Sequence, residues 1–384
     1  MSTVCKHFGD CGGCSFQDIP YLEQLCKKEE EIKRLLREAE FEVLLKPINH
    51  YPEWFYRNKM EFCFYDNGDG KTVCGLYSKK FKNKVTDLEE CLIFSPDIGI
   101  ILAAVKDFVK AGNYPAYNKY NYKGFLRHLV VREAKFTSQI MVGLVTTGQA
   151  AFDRAGFVKL LAGLKLNSSI KSIYHILNDS MSDAVIFQEK NLLYGEPFIR
   201  EELGGFQFNI GIDTFFQVNP RAIDDFYAKI RGYAGLDKTK SVLDLFCGTG
   251  SIGMFLAKDA KYVWGVEIEK AIVEAAWENA KINNINNISF AVSDTKNFLN
   301  TQSYFHQGVD LLIVNPPRCG VSPKVVKSLL TLNAKRIIYS SCNPKSLFED
   351  LKLMCQFYRL EFVEPFDFFP HTPHCECLTI LNKI

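Results

Sequence analysis

The sequence predicts an α/β protein: a C-terminal half built as a doubly wound, mostly parallel sheet, preceded by an N-terminal α+β region. Three observations carry this. After Asp213, short apolar runs of parallel-strand type (SVLDLF, YVWGVEI, ISFAVSD, DLLIVN, RIIYSS) alternate with helical segments such as GSIGMFLAKDA and EKAIVEAAWENAKIN. Before residue 205 the runs are aromatic and β-branched, and are broken by Asn/Gly turns such as DNGDG. The chain, at 384 residues, is long enough for two cores.

The elements follow in order. Residues 21–39 place Leu22, Leu25, Ile32, Leu35 and Leu36 near one helical face. MEFCFY, LVVREAK and QIMVGLVTT read as strands, and residues 96–109 and 151–164 as two intervening helices. The expected boundary falls near residue 205, giving an N-terminal region 1–205 (segment 1–95 cysteine-bearing, 50–205 mixed) and a C-terminal domain 206–384.

Composition narrows the functional classes. The balance of 46 Lys+Arg against 44 Asp+Glu leaves a net charge of +2, so a nucleic-acid partner must be gripped by local patches. No apolar run approaches a membrane span, and MSTVCKHFGD lacks a secretory h-region, from which a cytoplasmic location is expected. Thirteen cysteines in a reducing compartment point to metal binding or catalysis rather than to disulfides.

Four segments carry chemistry. Gly248, Gly250 and Gly253 form a glycine turn between a strand and a helix, where backbone approaches a nucleotide, and Glu267 ends the next strand, placed to accept from ribose hydroxyls. That pattern serves NAD as well as S-adenosylmethionine (SAM). Asn315-Pro316-Pro317-Arg318 follows a strand at a carboxyl end, where such sheets bind ligands. Cys342 in SSCNP follows another strand among polar residues; its bland reading is a small buried hydrophobe. Glu376 lies between Cys375 and Cys377, so strand alternation turns it to the face opposite both. His371 and His374 are neighbouring candidate partners or RNA contacts.

Together FFQVNP (residues 215–220), DLFCGTGSIG (244–253), NPPRCG (315–320), SSCNP (340–344) and FPHTPHCE (369–376) resemble the RNA uracil-5-methyltransferase family over nearly the whole chain. The resemblance implies a Rossmann-like SAM-dependent methyltransferase domain. It implies Cys342 as the nucleophile on uracil C6, Glu376 as the base that removes the C5 proton, and SAM contacts from Gln217, Phe246, Glu267 and Asn315, with Asp294 a further adenine contact. A cysteine straight after the second proline would suit an RNA cytosine-5 enzyme; here Arg318 intervenes.

At the amino terminus Cys5, Cys11 and Cys14 precede Cys91, with Cys26, Cys63 and Cys74 as rival fourth ligands. By spacing alone zinc is as good a reading as iron. The resemblance selects Cys91 and a [4Fe–4S] cluster. Many members carry an N-terminal TRAM domain and have Asp at the position of Asn315; this chain starts at the cluster segment and has Asn. These features look most like the shorter bacterial 23S ribosomal RNA enzymes, with a tRNA-directed enzyme as the alternative and a catalytically silent iron–sulfur RNA-binding protein as the distant one. No obligate protein partner is implied. RNA is expected to be held by the aromatic and basic segment 114–132 and by Lys79, Lys80, Lys82 and Lys84.

Overall fold

A computed structural model describes residues 4–68, 70–301 and 309–384. The chain forms two compact units. The first comprises Met1–Pro20, Pro52–Glu202 and Asn209–Asp213; the second comprises Tyr21–Tyr51, Leu203–Phe208 and Thr214–Ile384. The contiguous split expected near residue 205 therefore does not describe the packing of residues 21–51. Their helix α1 (Tyr21–Glu38) buries Ile32 and Leu36 in the core of the second unit, and β1 (Leu44–Leu45) adds a parallel edge to that unit's sheet.

The first unit is built on a seven-stranded sheet. Its strands are β2 (Lys59–Asp66), β3 (Thr72–Tyr77), β4 (Val85–Asp87), then, after α2 (Ile98–Ala111), β5 (Leu126–Ala134) and β6 (Gln139–Thr146). Helix α3 (Arg154–Ala162) connects β6 to β7 (Ser169–Leu177), and β8 (Glu189–Gly195) closes the sheet in the order β4-β3-β2-β5-β6-β7-β8. All neighbours are antiparallel except β6 and β7, which need the α3 crossover to run parallel. The strands β5 and β6 are buried almost throughout, with Leu129, Val131, Val142 and Leu144 packed in one core with α2 residues Ile101, Leu102 and Val105. A two-stranded ribbon, β9 (Ile199–Leu203) and β10 (Phe206–Ile210), contains the division between the units.

The second unit continues with α4 (Pro220–Ala234), β11 (Ser241–Leu245), α5 (Ser251–Ala257), β12 (Tyr262–Glu267), α6 (Lys270–Ile282), β13 (Ile288–Val292) and α7 (Thr295–Thr301). After these come β14 (Leu311–Val314), α8 (Pro323–Thr331), β15 (Arg336–Ser341), α9 (Pro344–Met354), β16 (Tyr358–Phe366) and β17 (Glu376–Lys383). The eight strands lie in the order β1-β16-β17-β15-β14-β11-β12-β13. Strands β11 to β15 are mutually parallel, and β17 is antiparallel to both its neighbours. The order reverses between β11 and β14, so a switch-point crevice opens at their carboxyl ends, which is where doubly wound sheets take ligands. Leu243, Leu312, Val314, Ile337 and Tyr339 are fully buried, as strands covered on both faces require.

Candidate active site

The glycine turn after β11 has the strained backbone expected of a ligand cradle. Phe246 has φ +60°, Gly248 +54° and Gly250 +75°. A left-handed phenylalanine is costly, and such strain gathers where a site is held in shape. Gly250 is irreplaceable for a second reason: a Cβ there would stand 2.5 Å from the Phe290 ring. Gly248 by contrast faces open space, with only Phe215 Cδ1 at 3.9 Å from a notional Cβ, so its backbone is open to approach.

Phe246, Glu267 and Asn315 follow or end β11, β12 and β14, three adjacent strands, so their carboxyl ends stand in a row. Glu267 Oε2 accepts the Gly248 N–H at 3.2 Å, and Oε1 accepts the Ile268 N–H at 2.8 Å, which ties the acidic residue to the turn while leaving acceptor capacity. Asn315 Oδ1 accepts from Ser340 Oγ at 3.0 Å, which orients the amide. Gln217 lies two residues before Asn219, the residue whose side chain caps α4 by accepting the Ala222 N–H. Asp294 is committed locally: it caps the first turn of α7 by accepting from Asn297 N at 3.0 Å. Beneath the turn Asp244 is fully buried, and burial pushes its carboxyl up to about 8, opposed by the Gly253 N–H.

These features fit SAM: an open glycine backbone, an acidic residue one strand along, and an oriented amide two strands from it. They supply acceptors and donors for a ribose and an amino acid moiety at a sheet switch point.

The second half of the site comes from the antiparallel ladder. Ser341, the last residue of β15, pairs with Cys377, so Cys342 beyond it and Glu376 before it come together. Glu376 and Cys377 are both buried, because β17 lies between two strands and is covered on both faces; Cys375, just before the strand, is buried too. Burial pushes the Glu376 carboxyl up to about 8. The Cys342 thiol is raised first by burial and then by the nearby Glu376 charge, while Arg318 opposes both. Arg318 is placed by the turn after β14: its carbonyl accepts from Asn343 Nδ2 at 3.0 Å and Ser346 Oγ at 3.4 Å. Asp350 of α9 locks the same turn, accepting from Tyr339 Oη at 2.5 Å and Val321 N at 2.9 Å.

Cys342 opens onto a cleft of about 330 Å³, walled by Arg318, Asn343, Lys345, His374 and, from α1, Lys28 and Leu35. That is within the ~300–1,000 Å³ of ordinary ligand pockets. Sequence motifs group Cys342, Arg318 and Glu376 at one site but leave α1 out of it. The signal for α1 is nevertheless in the chain: Gln24, Lys28, Ile32 and Leu36 recur every four residues, so two polar side chains share the buried stripe.

In the first unit, Cys5, Cys11, Cys14 and Cys91 line one cavity. Of the rivals, Cys26 is exposed on α1 of the second unit, Cys63 lines a different cavity, and Cys74 is enclosed in β3. Among the described residues no group of three or more His, Cys, Asp or Glu side chains is arranged to hold a metal ion. The segment 114–132 splits by exposure: Tyr120 and Tyr122 are exposed, whereas Arg127, His128 and Arg132 are buried. Arg127 stacks on the Tyr117 ring at 4.3 Å and donates to the carbonyls of Asn178 and Ser180, so it braces a loop. Among the described residues no helix is long and apolar enough to cross a membrane.

Residues 205–384 match the family described as tRNA (uracil-5-)-methyltransferase. An uncharacterised RNA methyltransferase of Clostridium tetani is 38% identical over 387 aligned positions, covering 100% of this chain and 84% of that protein. One from Staphylococcus aureus is 33% identical with the same coverages. Among solved structures, the Pyrococcus abyssi tRNA (uracil-54, C5)-methyltransferase in complex with S-adenosyl-L-homocysteine superposes with a TM-score of 0.79 at 30% identity, covering 97% of this chain and 86% of that one.

Proposed function

The chain belongs to the RNA uracil-5-methyltransferase family and is a SAM-dependent RNA methyltransferase; from that premise we propose that it methylates C5 of a uridine in 23S ribosomal RNA, with Cys342 as nucleophile and Glu376 as base. The observation that carries this reading is the β15–β17 register, which brings a buried carboxyl, Glu376, towards a thiol, Cys342, that lines a cleft.

When bound, SAM supplies an electrophilic methyl group, and Gln217, Phe246, Glu267 and Asn315 are the residues that hold it. Uracil C5 is a weak nucleophile. Cys342 loses its proton and its sulfur bonds to C6, which gives C5 carbanion character, and Arg318 stabilises the thiolate before attack. The C5 electron pair then takes the methyl group, while the donor's S–CH3 bond breaks with its electron pair kept on sulfur, so that a neutral thioether leaves. Glu376 removes the C5 proton, the C5–C6 double bond re-forms, and the C6–S bond breaks to return the thiolate. A carboxyl with its pKa near 8 suits this step: a base is most effective when its pKa is close to the working pH. The uridine must leave its stack to present C6 to Cys342.

Cys5, Cys11, Cys14 and Cys91 are proposed to hold a [4Fe–4S] cluster, supported by the cavity all four share. The first unit then serves as the iron–sulfur and RNA-binding region and the second as the catalytic one, with the exposed Tyr120 and Tyr122 offering stacking faces. A cytoplasmic location is part of the same proposal, since that is where ribosomal RNA and SAM meet.

A second reading, uridine methylation in tRNA by the same steps, is favoured by the family description and by the Pyrococcus relative. Methyl transfer from labelled SAM to separate 23S rRNA and tRNA transcripts, with nucleosides identified by mass spectrometry, decides between them. 5-Methyluridine in a 23S fragment supports the first reading, and 5-methyluridine in tRNA alone replaces it with the second. No methylated pyrimidine in either would overturn both. Iron and sulfide assays on anaerobically purified protein test the cluster; zinc alone would correct it.

A further inference from the structure

The active-site segment between β16 and β17, residues 367–375, is anchored by a helix more than three hundred positions earlier in the chain. Helix α1 buries Gln24 and Lys28 almost completely, although both are polar and residues of these types are seldom enclosed without a use. Both reach into that segment. Gln24 Oε1 accepts the His371 N–H at 3.0 Å, so its Nε2, 3.1 Å from His371 Nδ1, is the donor to that ring nitrogen. Lys28 Nζ donates to Asp367 Oδ1 at 2.5 Å and to the Phe369 carbonyl at 3.0 Å. Tyr21, in the first turn of the same helix, donates to the other oxygen of Asp367 at 2.9 Å.

The segment needs such anchorage. His371 is a buried non-glycine residue with φ +62°. A left-handed backbone is costly at such a residue and persists only where surrounding contacts impose it. Five residues later the chain reaches Glu376, with Pro373 and His374 walling the cleft in between. The lysine and aspartate are both enclosed, so the ion pair fixes position more than it adds stability.

We infer that Gln24 and Lys28 are positioning residues for the proton-removal step: they hold residues 367–371 in the conformation that aims Glu376 at the C5 proton. This rests on the assignment of Glu376 as the base. Cys342 is carried by the turn between β15 and α9, so the clamp acts on release of the methylated adduct and not on its formation. A displacement of about 1 Å at a reacting group costs about 10²-fold in rate.

The test is single-turnover kinetics with RNA and SAM, following covalent RNA–enzyme adduct and free product separately. Gln24→Ala is expected to form adduct within about twofold of the parent rate and to release product about 10²-fold more slowly, so that adduct accumulates. Lys28→Met leaves the buried Asp367 carboxylate without its counter-charge and is expected to fold poorly, so the neutral double variant Lys28→Met/Asp367→Asn is used beside it; because Lys28 also walls the cleft, the expected result there is release slowed more than formation. Unchanged release in both, or formation and release slowed by equal factors, overturns the inference. Glu376→Gln is measured in parallel. If it traps adduct while Gln24→Ala behaves like the parent, only the clamp is lost; if it turns over freely, the base assignment fails and takes the clamp with it.

Discussion

Ser341 pairs directly with Cys377 across the antiparallel β15–β17 ladder, and that single register brings Cys342 and Glu376 together from positions 34 residues apart in sequence. A slip by one residue would turn Glu376 to the other face of the sheet. The burial of both flanking cysteines holds the register against such a slip.

Replacing the two groups has opposite consequences for the covalent intermediate. Cys342→Ala removes the nucleophile, so neither adduct nor methylated RNA forms. Glu376→Gln keeps addition and methyl transfer but removes the base, so turnover falls by about 10²–10⁴-fold and methylated RNA stays bound to protein on a denaturing gel. Full methyl transfer by Cys342→Ala would remove the covalent mechanism.

The raised carboxyls set the pH dependence of both rate and stability. Glu376 and Asp244 titrate near 4.5 and 3.8 in their ordinary state and near 8 in the fold. Between those values the folded protein keeps protons that the unfolded chain has lost, so rising pH favours unfolding. Stability is expected to fall from about pH 3.8, where Asp244 begins to contribute, to about pH 8 and then level off. Adduct release is expected to rise over the upper part of that window, as Glu376 ionises. Glu376→Gln flattens part of the stability slope, measured by thermal unfolding at several pH values; a parallel slope in the variant would assign the effect elsewhere.

Much of this was legible in the sequence because it depended on local pattern. The five parallel strands declared themselves as short apolar runs, and each begins within one residue of its expected start. The glycine turn, the proline turn and Cys342 each follow a strand, so their place at the sheet's carboxyl end followed from order alone. What was not legible depended on pairing over distance. Residues 21–51 join the second unit because Ile32 and Leu36 find their apolar partners there, which no local window reports. Burial of Arg127 and Arg132 in a segment read as an RNA-facing surface has the same origin: β5 is central in its sheet, so alternation gives neither face to solvent.

Arg318 favours the Cys342 thiolate, against burial and Glu376. Arg318→Met keeps the bulk of the stem and removes the charge. The thiol then titrates higher still, and for every pH unit by which its midpoint rises the thiolate fraction at neutral pH drops about tenfold. Iodoacetamide labelling of Cys342 against pH, with the mass of the modified peptide as readout, is expected to move its midpoint upward in the variant. An unmoved midpoint would assign Arg318 to RNA binding alone.

The turn that carries Arg318 also sets a stability prediction at Gly320. This glycine has φ +72°, and a Cβ on it would stand 2.9 Å from Asp350 Oδ2 and 3.0 Å from Ser346 Cβ. Asp350 cannot retreat without loosening its bonds to Tyr339 Oη and Val321 N. Gly320→Ala therefore incurs about 1–2 kcal/mol for the left-handed backbone and a further ~1–3 kcal/mol for overpacking. It should lower the denaturant midpoint and also slow methyl transfer, since Arg318 moves with the turn. Gly232 provides the contrast: it lies on α4 with nothing within 4 Å of a notional Cβ, and Gly232→Ala should stabilise the helix by about 1 kcal/mol. Equal effects of the two substitutions would show that the Gly320 turn is not under the constraint its geometry describes.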